Sequence, residues 1–194
     1  HLRSLSKLRG TKVEVVAVAS KSKEHAAAFA KKFDIPAFYD DYRLVLGRTD
    51  IDVVDLCVPT DLHEEFSIKA AEAKKHIICE KPLTGYFGKE RKEEQVGFAV
   101  SKKLMLKEAL KGCDRVLKAV KKNKVKFMYA ENWVYAPALT KLKKLMKASE
   151  GTILEMRAEQ GHSGSQAKYT RRWKTSGGGA LLRLGSHPVG TVLH

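Results

Sequence analysis

Long apolar runs are missing from this chain. Its hydrophobic stretches are short and broken by charges, which excludes a membrane-spanning helix on the sequence reading. The opening residues, HLRSLSKLRG, also lack the apolar stretch of a secretory signal. No initiator methionine is present, and the last residues, HPVGTVLH, stop inside an apolar run, so the sequence reads as the middle of a longer protein. Cysteine is sparse. Cys57, Cys79 and Cys113 lie far apart with no CxxC pair, which argues against a zinc site or a disulfide framework. Two of them fall in strand-like apolar runs and one on a helical face, so all three are expected to be buried free thiols in a reducing compartment, the cytoplasm.

Acidic residues are also scarce, and the formal net charge is +15. Residues 101–150 hold 14 Lys/Arg against 4 Asp/Glu. In KEALKGCDRVLKAVKKNK the apolar positions Ala109, Leu110, Cys113, Leu117 and Val120 keep helical spacing, and Lys107, Lys111, Lys118 and Lys122 lie opposite. That pattern is a solvated helix face. No aromatic residues alternate with the lysines to stack on bases, so no nucleic-acid partner is expected.

What is present is enough for a core. The 194 residues are 43% hydrophobic, sufficient for one large domain or for one domain and part of another. KVEVVAVAS (Lys12–Ser20) reads as a buried β-branched strand, and Ser22 as the N-cap of a helix whose Ala26, Phe29, Ala30 and Phe33 share a face. A short connection leads to a second helix, capped by Asp40 and ended by Gly47. DIDVVDLCVP is a second strand, DLHEEFSIKAAEAKK a helix, HIICEKP a third strand, and VKFMYAEN a fourth after the long basic helix. This alternation predicts an α/β fold: a Rossmann-like parallel sheet with helices on both faces. Ligands of such sheets bind beyond the carboxyl ends of the strands. Ser20, Lys21, Pro59, Thr60, Asp61, Glu80, Lys81, Pro82 and Asn132 stand at those ends.

The segment TGYFGKERKEEQVGFAV (84–100) has no clean periodicity and reads as a surface excursion. Beyond it, PALTKLKKLMKA is an amphipathic helix opened by Pro137. GTILEMRAEQ alternates like a half-exposed strand, and GHSGSQAKYTRRWKTSGGG is a long polar loop. The change of character places a domain boundary near Asn132–Ala136, with residues 1–132 dinucleotide-binding and 133–194 the start of a substrate and oligomerisation domain.

Three stretches carry a family likeness: DIDVVDLCVPTDLHEEFSIKAAEAKKHIICEKPL, ENWVYAP and SGGGALLRLGSHP. They resemble the glucose–fructose oxidoreductase and inositol dehydrogenase (Gfo/Idh/MocA) family of nicotinamide-dependent oxidoreductases, over nearly the whole chain. The resemblance implies a Rossmann domain followed by part of an α+β open-sheet domain, with NAD or NADP as cofactor. It also implies a carbohydrate-type small-molecule substrate and a homo-oligomer for the complete protein. The family's first strand and its G-x-G-x-x-G turn would precede His1, so the phosphate-cradling turn is expected outside this sequence, as is much of the open sheet.

Lys81 stands at the rim on physical grounds. Pro82 restricts the backbone beside it, and a cation near an alcohol oxygen eases alkoxide character as hydride leaves. The resemblance assigns Lys81 to both substrate and cofactor, and His187 to the role of general base, a task suited to imidazole near neutral pH. Glu80 either pairs with Lys81, contacts the nicotinamide or is structural. Pro59 and Thr60 match the family's turn beside ribose and nicotinamide, and His63 either packs there or binds. Ser20 and Lys21 replace the acid that would select NAD, so a 2′-phosphate is tolerated. Asn132 and Tyr135 match the segment facing nicotinamide and substrate. Trp173 is a pocket wall or a core anchor.

The pattern breaks at Arg183, where many members carry an aspartate. A guanidinium cannot orient an imidazole as a carboxylate does. Arg183 therefore either grips an anionic substrate bidentately or marks a changed or lost reaction. An NAD-dependent glycoside hydrolase of the same family, and a non-catalytic basic binding protein, are the alternatives to a dehydrogenase. No metal site is expected.

Overall fold

A serine hydroxyl is a natural acceptor for the free amides of a helix start, and Ser22 serves that way, accepting from His25 N at 3.2 Å. The computed structural model describes residues 1–93, 96–165 and 167–194. Glu94, Gln95 and Gln166, which fall in the two stretches read as an excursion and a polar loop, lie outside the described residues. Two compact units divide the chain, His1–Val53 and Val54–His194.

The first unit holds α1 (Leu2–Leu5), β1 (Val18–Ala19), α2 (Lys23–Phe33), β2 (Phe38–Tyr39) and α3 (Tyr42–Leu46). Ala26 and Ala30 of α2 are buried, whereas Phe29 is 41% exposed. The long strand expected over Lys12–Ser20 pairs at only two residues, Val18 with Phe38 and Ala19 with Tyr39, in parallel. A ladder reaches only as far as its partner, and β2 is a two-residue strand inside what reads as a connection. The cap of α3 is Asp41 rather than Asp40: its carboxylate accepts from Arg43 N at 2.9 Å. Gly47 ends that helix as expected.

The second unit is built on a three-stranded sheet in the order β3 (Val53–Leu56), β4 (His76–Cys79), β5 (Phe127–Tyr129). Strands β4 and β5 run parallel, with Ile77 opposite Phe127 and Cys79 opposite Tyr129. Between β3 and β4 lie a 3-10 turn (Thr60–Leu62) and α4 (His63–Glu72). Between β4 and β5 lie α5 (Val96–Ala99) and the 22-residue α6 (Lys102–Asn123). The apolar stripe of α6 is rotated from the expected one. Gly112 and Val116 are buried, while Leu110 and Leu117 are 55% and 53% exposed. A Cβ on Gly112 would sit 2.7 Å from Glu64 Oε2, so a glycine, not a leucine, marks where α6 meets α4. Arg115 clasps the same Glu64 carboxylate at 2.5 and 3.0 Å.

Residues 84–100 are more than a surface excursion. Tyr86, Val96 and Val100 are buried together, with Met105 and Trp173 packed against them. Their apolar side chains carry no period because the segment folds on itself and not along one face. After β5 come a 3-10 turn (Trp133–Tyr135), α7 (Pro137–Ser149, with proline at its start) and a further 3-10 turn (Lys168–Arg171). Then follow α8 (Trp173–Ser176), α9 (Ala180–Leu184) and α10 (Ser186–Leu193). The stretch read as one polar loop thus contains a turn and α8. Residues 151–160 form no strand among the described residues, and Leu154 is 94% exposed. Alternation yields a strand only where a neighbour takes up its backbone hydrogen bonds. The cysteines are free, with Cys79 buried but Cys57 exposed, against expectation. No helix among the described residues is long and apolar enough to cross a membrane.

Candidate active site

The sheet ends where the chemistry begins. Past β4, Glu80 N donates to Leu56 O of β3 at 3.2 Å, and the Glu80 carboxylate accepts from Lys81 N at 3.0 Å. The Lys81–Pro82 peptide is cis. Past β3, Pro59 precedes the 3-10 turn, and Thr60 is 3% exposed. His63 joins the two turns. It is 1% exposed, with Nδ1 2.9 Å from Pro82 O and Nε2 2.9 Å from Val58 O.

The chain then folds the triple-glycine segment against the stretch after Pro82. Tyr86 N donates to Gly177 O at 3.0 Å, and a Cβ on Gly85 would lie 2.5 Å from that same oxygen. Gly177 itself has φ +73, in the left-handed region that favours glycine. Trp173 secures the contact, donating from Nε1 to Tyr86 O at 2.7 Å.

This docking brings α9 to Lys81, whose Nζ donates to Arg183 O at 2.7 Å. Burial pulls the Lys81 ammonium below the ordinary lysine range. Glu80 opposes that shift, Arg183 adds to it, and Glu131 opposes it as well. The Arg183 guanidinium lies 5.8 Å from the centre of the Tyr169 ring. On α10, His187 is 7% exposed, and its Nδ1 is 2.6 Å from Glu131 Oε1. Trp133 N donates to that same oxygen at 3.0 Å, and the Trp133 ring stands 5.8 Å from the imidazole. Lys81, Arg183, Glu131 and His187 thus form one polar cluster beyond β4 and β5.

The remaining sequence candidates are placed as follows. Ser20 and Lys21 follow β1 in the first unit, where Ser20 N donates to Tyr39 O at 3.0 Å. Asn132 is exposed, and Tyr135 is 73% exposed with its ring edge-on to His194. The Trp173 indole is half-buried and packs against the Tyr86–Val96–Val100 cluster. Glu131 is the residue that sequence reasoning passed over. It directly precedes Asn132 at the end of a strand, and a carboxylate in that place was the available signal.

The donor set suits part of a dinucleotide. Thr60 hydroxyl, Lys81 ammonium and Asn132 amide stand at successive strand ends. Asp61 Oδ1, beside Thr60, is buried with no hydrogen-bond partner among the described residues, as an acceptor for a ribose hydroxyl would be. The sequence holds no G-x-G-x-x-G turn for a pyrophosphate.

Residues 1–106 match a family described as the GFO_IDH_MocA oxidoreductase family, NAD-binding Rossmann fold. Levoglucosan dehydrogenase of Pseudarthrobacter phenanthrenivorans is 30% identical over 89% of this chain and 40% of its own length. Trans-1,2-dihydrobenzene-1,2-diol dehydrogenase of Mus musculus is 28% identical over 95% of this chain and 49% of its own. A solved structure of levoglucosan dehydrogenase with NADH and levoglucosan superposes with TM-score 0.67 at 27% identity, over 91% of this chain and 43% of that one. An oxidoreductase domain protein from Kribbella flavida shares the fold, with TM-score 0.68 at 22% identity, over 91% of this chain and 43% of that one. The chain spans less than half the length of these relatives.

Proposed function

Because the chain belongs to the Gfo/Idh/MocA oxidoreductase family, we propose that it carries the catalytic cluster of an enzyme moving a hydride between NAD(P) and a hydroxyl or carbonyl carbon of a sugar, polyol or sugar acid. The observation that carries this reading is the bond from Lys81 Nζ to Arg183 O, which sets an ammonium beside the segment bearing His187. The names of the relatives, levoglucosan dehydrogenase among them, support a carbohydrate-type substrate.

When bound, the nicotinamide supplies the acceptor or donor of hydride. Pro59, Thr60, Glu80, Lys81 and Asn132 would hold it, with His63 fixing the turns that carry Thr60 and Lys81. In the oxidative direction His187 Nε2 takes the hydroxyl proton, and Lys81 stabilises the negative charge that grows on the oxygen. One Lys81 N–H is committed to Arg183 O, and the other two are left for substrate and cofactor. Arg183 and Tyr135 face the substrate in this reading, and Arg183 favours a carboxylated one. Ser20 and Lys21 leave room for a 2′-phosphate. Residues 1–132 serve the dinucleotide and 133–194 begin the substrate domain of a cytoplasmic homo-oligomer.

The test is a panel of sugars and sugar acids offered to the complete protein with NAD+ and NADP+, followed by absorbance of the reduced nicotinamide. Turnover of at least one substrate, lost in Lys81→Met and in His187→Ala, is expected. No turnover across the panel, or full activity in both variants, would refute the reading.

A further inference from the structure

We infer that Glu131 is the positioning residue of His187: its carboxylate holds the ring proton on Nδ1 and so leaves the Nε2 lone pair for the substrate hydroxyl. The inference rests on the reaction proposed above and adds a residue that reading does not use.

Three observations carry it. The first is the contact itself, 2.6 Å between Glu131 Oε1 and His187 Nδ1, with both side chains more than nine-tenths buried. An ionised carboxylate can only accept, so Nδ1 must carry the hydrogen, and in a neutral ring Nε2 is then bare. Among the described residues Nε2 has no hydrogen bond of its own. The second is that Glu131 is itself held. Trp133 N donates to Oε1 at 3.0 Å, which fixes the carboxylate against rotation. Its other oxygen, Oε2, is buried with no hydrogen-bond partner among the described residues, and both the His187 contact and the Trp133 amide meet at Oε1. The third is the backbone of α10. A Cβ on Gly190, three residues after His187, would sit 3.0 Å from Glu131 Cγ and 3.4 Å from Val134 Cγ1. The glycine is what lets the helix bearing the imidazole come this close to the carboxylate.

The pairing also resolves the break at position 183. With arginine there, no carboxylate near His187 in sequence can orient it, and the strand end supplies one from a distance of 56 residues. When the hydroxyl proton reaches Nε2, the ring becomes an imidazolium with a hydrogen on each nitrogen. The Glu131 carboxylate faces that cation and stabilises it. No proton passes to Glu131.

The experiment is nitrogen NMR of the chain labelled with 15N-histidine, for the unmodified protein and for Glu131→Gln, paired with kinetics of the complete protein. In the unmodified protein the neutral His187 ring is expected with hydrogen on Nδ1. In Glu131→Gln, whose amide can present either N–H or C=O to Nδ1, that preference for hydrogen on Nδ1 is expected to weaken and both tautomers to appear. Turnover is expected to fall about 100-fold, with little change in KM. A hydrogen on Nε2 in the unmodified protein, or the same tautomer populations in both proteins, would overturn the inference. If His187→Ala abolishes turnover while Glu131→Gln changes neither tautomer nor rate, the inference fails and the proposed reaction stands. If His187→Ala is fully active, the reaction itself fails.

Discussion

Lys81 and Arg183 are joined by a hydrogen bond from the ammonium of one to the backbone carbonyl of the other, across 102 residues. The partner is the carbonyl, so the guanidinium of Arg183 is left free of Lys81 and lies over Tyr169. Two cations therefore stand in one place, Lys81 half-buried and held by a bond that tolerates exchange of the Arg183 side chain.

Replacing Lys81 by Met should lower turnover by about 100-fold or more, since it removes the charge that stabilises a developing alkoxide. The pH dependence has a definite sign. Burial lowers the folded-state pKa of Lys81, so the activity that needs its cation is lost on the alkaline side, below the pH at which a free lysine titrates. For stability the sign is opposite to that of a lysine gaining a partner. Between the lowered folded value and the ordinary one, the unfolded chain binds more protons, so stability rises with pH across that window. Chemical denaturation of the parent protein and of Lys81→Met at successive alkaline pH values checks this. The rise should be smaller in the variant.

Arg183→Ala should raise KM for a carboxylated sugar about tenfold or more and leave a neutral sugar nearly unchanged, as loss of one charged hydrogen-bonding partner implies. Because Lys81 bonds the backbone at 183, the substitution should leave the Lys81 contact in place. Equal effects on both substrates would argue against an anion grip.

Much of the local structure is legible in the sequence alone. Ser22 capped its helix, Pro137 opened another, and the strand ends gathered Thr60 and Lys81, because caps, proline and strand termini are local rules that neighbours rarely override. What failed was non-local. Leu110 and Leu117 satisfy helical spacing as well as any buried pair, yet Gly112 decides which face of α6 meets α4, through the approach of Glu64. Residues 151–160 alternate correctly and find no ladder. Glu131 escaped notice because its partner His187 lies 56 residues away, and no spacing rule links the two.

Gly85→Ala should destabilise the second unit by roughly 1–3 kcal/mol, the usual cost of forcing an extra carbon into a packed contact. The added Cβ would stand 2.5 Å from Gly177 O, a backbone atom that cannot swing aside. The same displacement would part the segment after Pro82 from the one leading to α9, so turnover should fall with stability. Gly161→Ala, where a Cβ meets nothing within 4 Å, is the control and should change neither. Thermal unfolding of the two variants side by side decides the matter.

His63→Ala should cost about 2–3 kcal/mol and weaken binding of a nicotinamide dinucleotide more than it lowers turnover at saturation. The ring lies between Val58 O and Pro82 O at 2.9 Å each, and removing it takes its N–H from one of these carbonyls and its packing from both, in a site 1% exposed. Those carbonyls belong to the turns that carry Thr60 and Lys81, so their loosening disperses the strand-end donors without deleting any of them. Urea denaturation gives the first number, and cofactor titration followed by saturated turnover gives the second. A variant that loses stability yet binds the dinucleotide as tightly as the parent would show that His63 braces the fold and not the site.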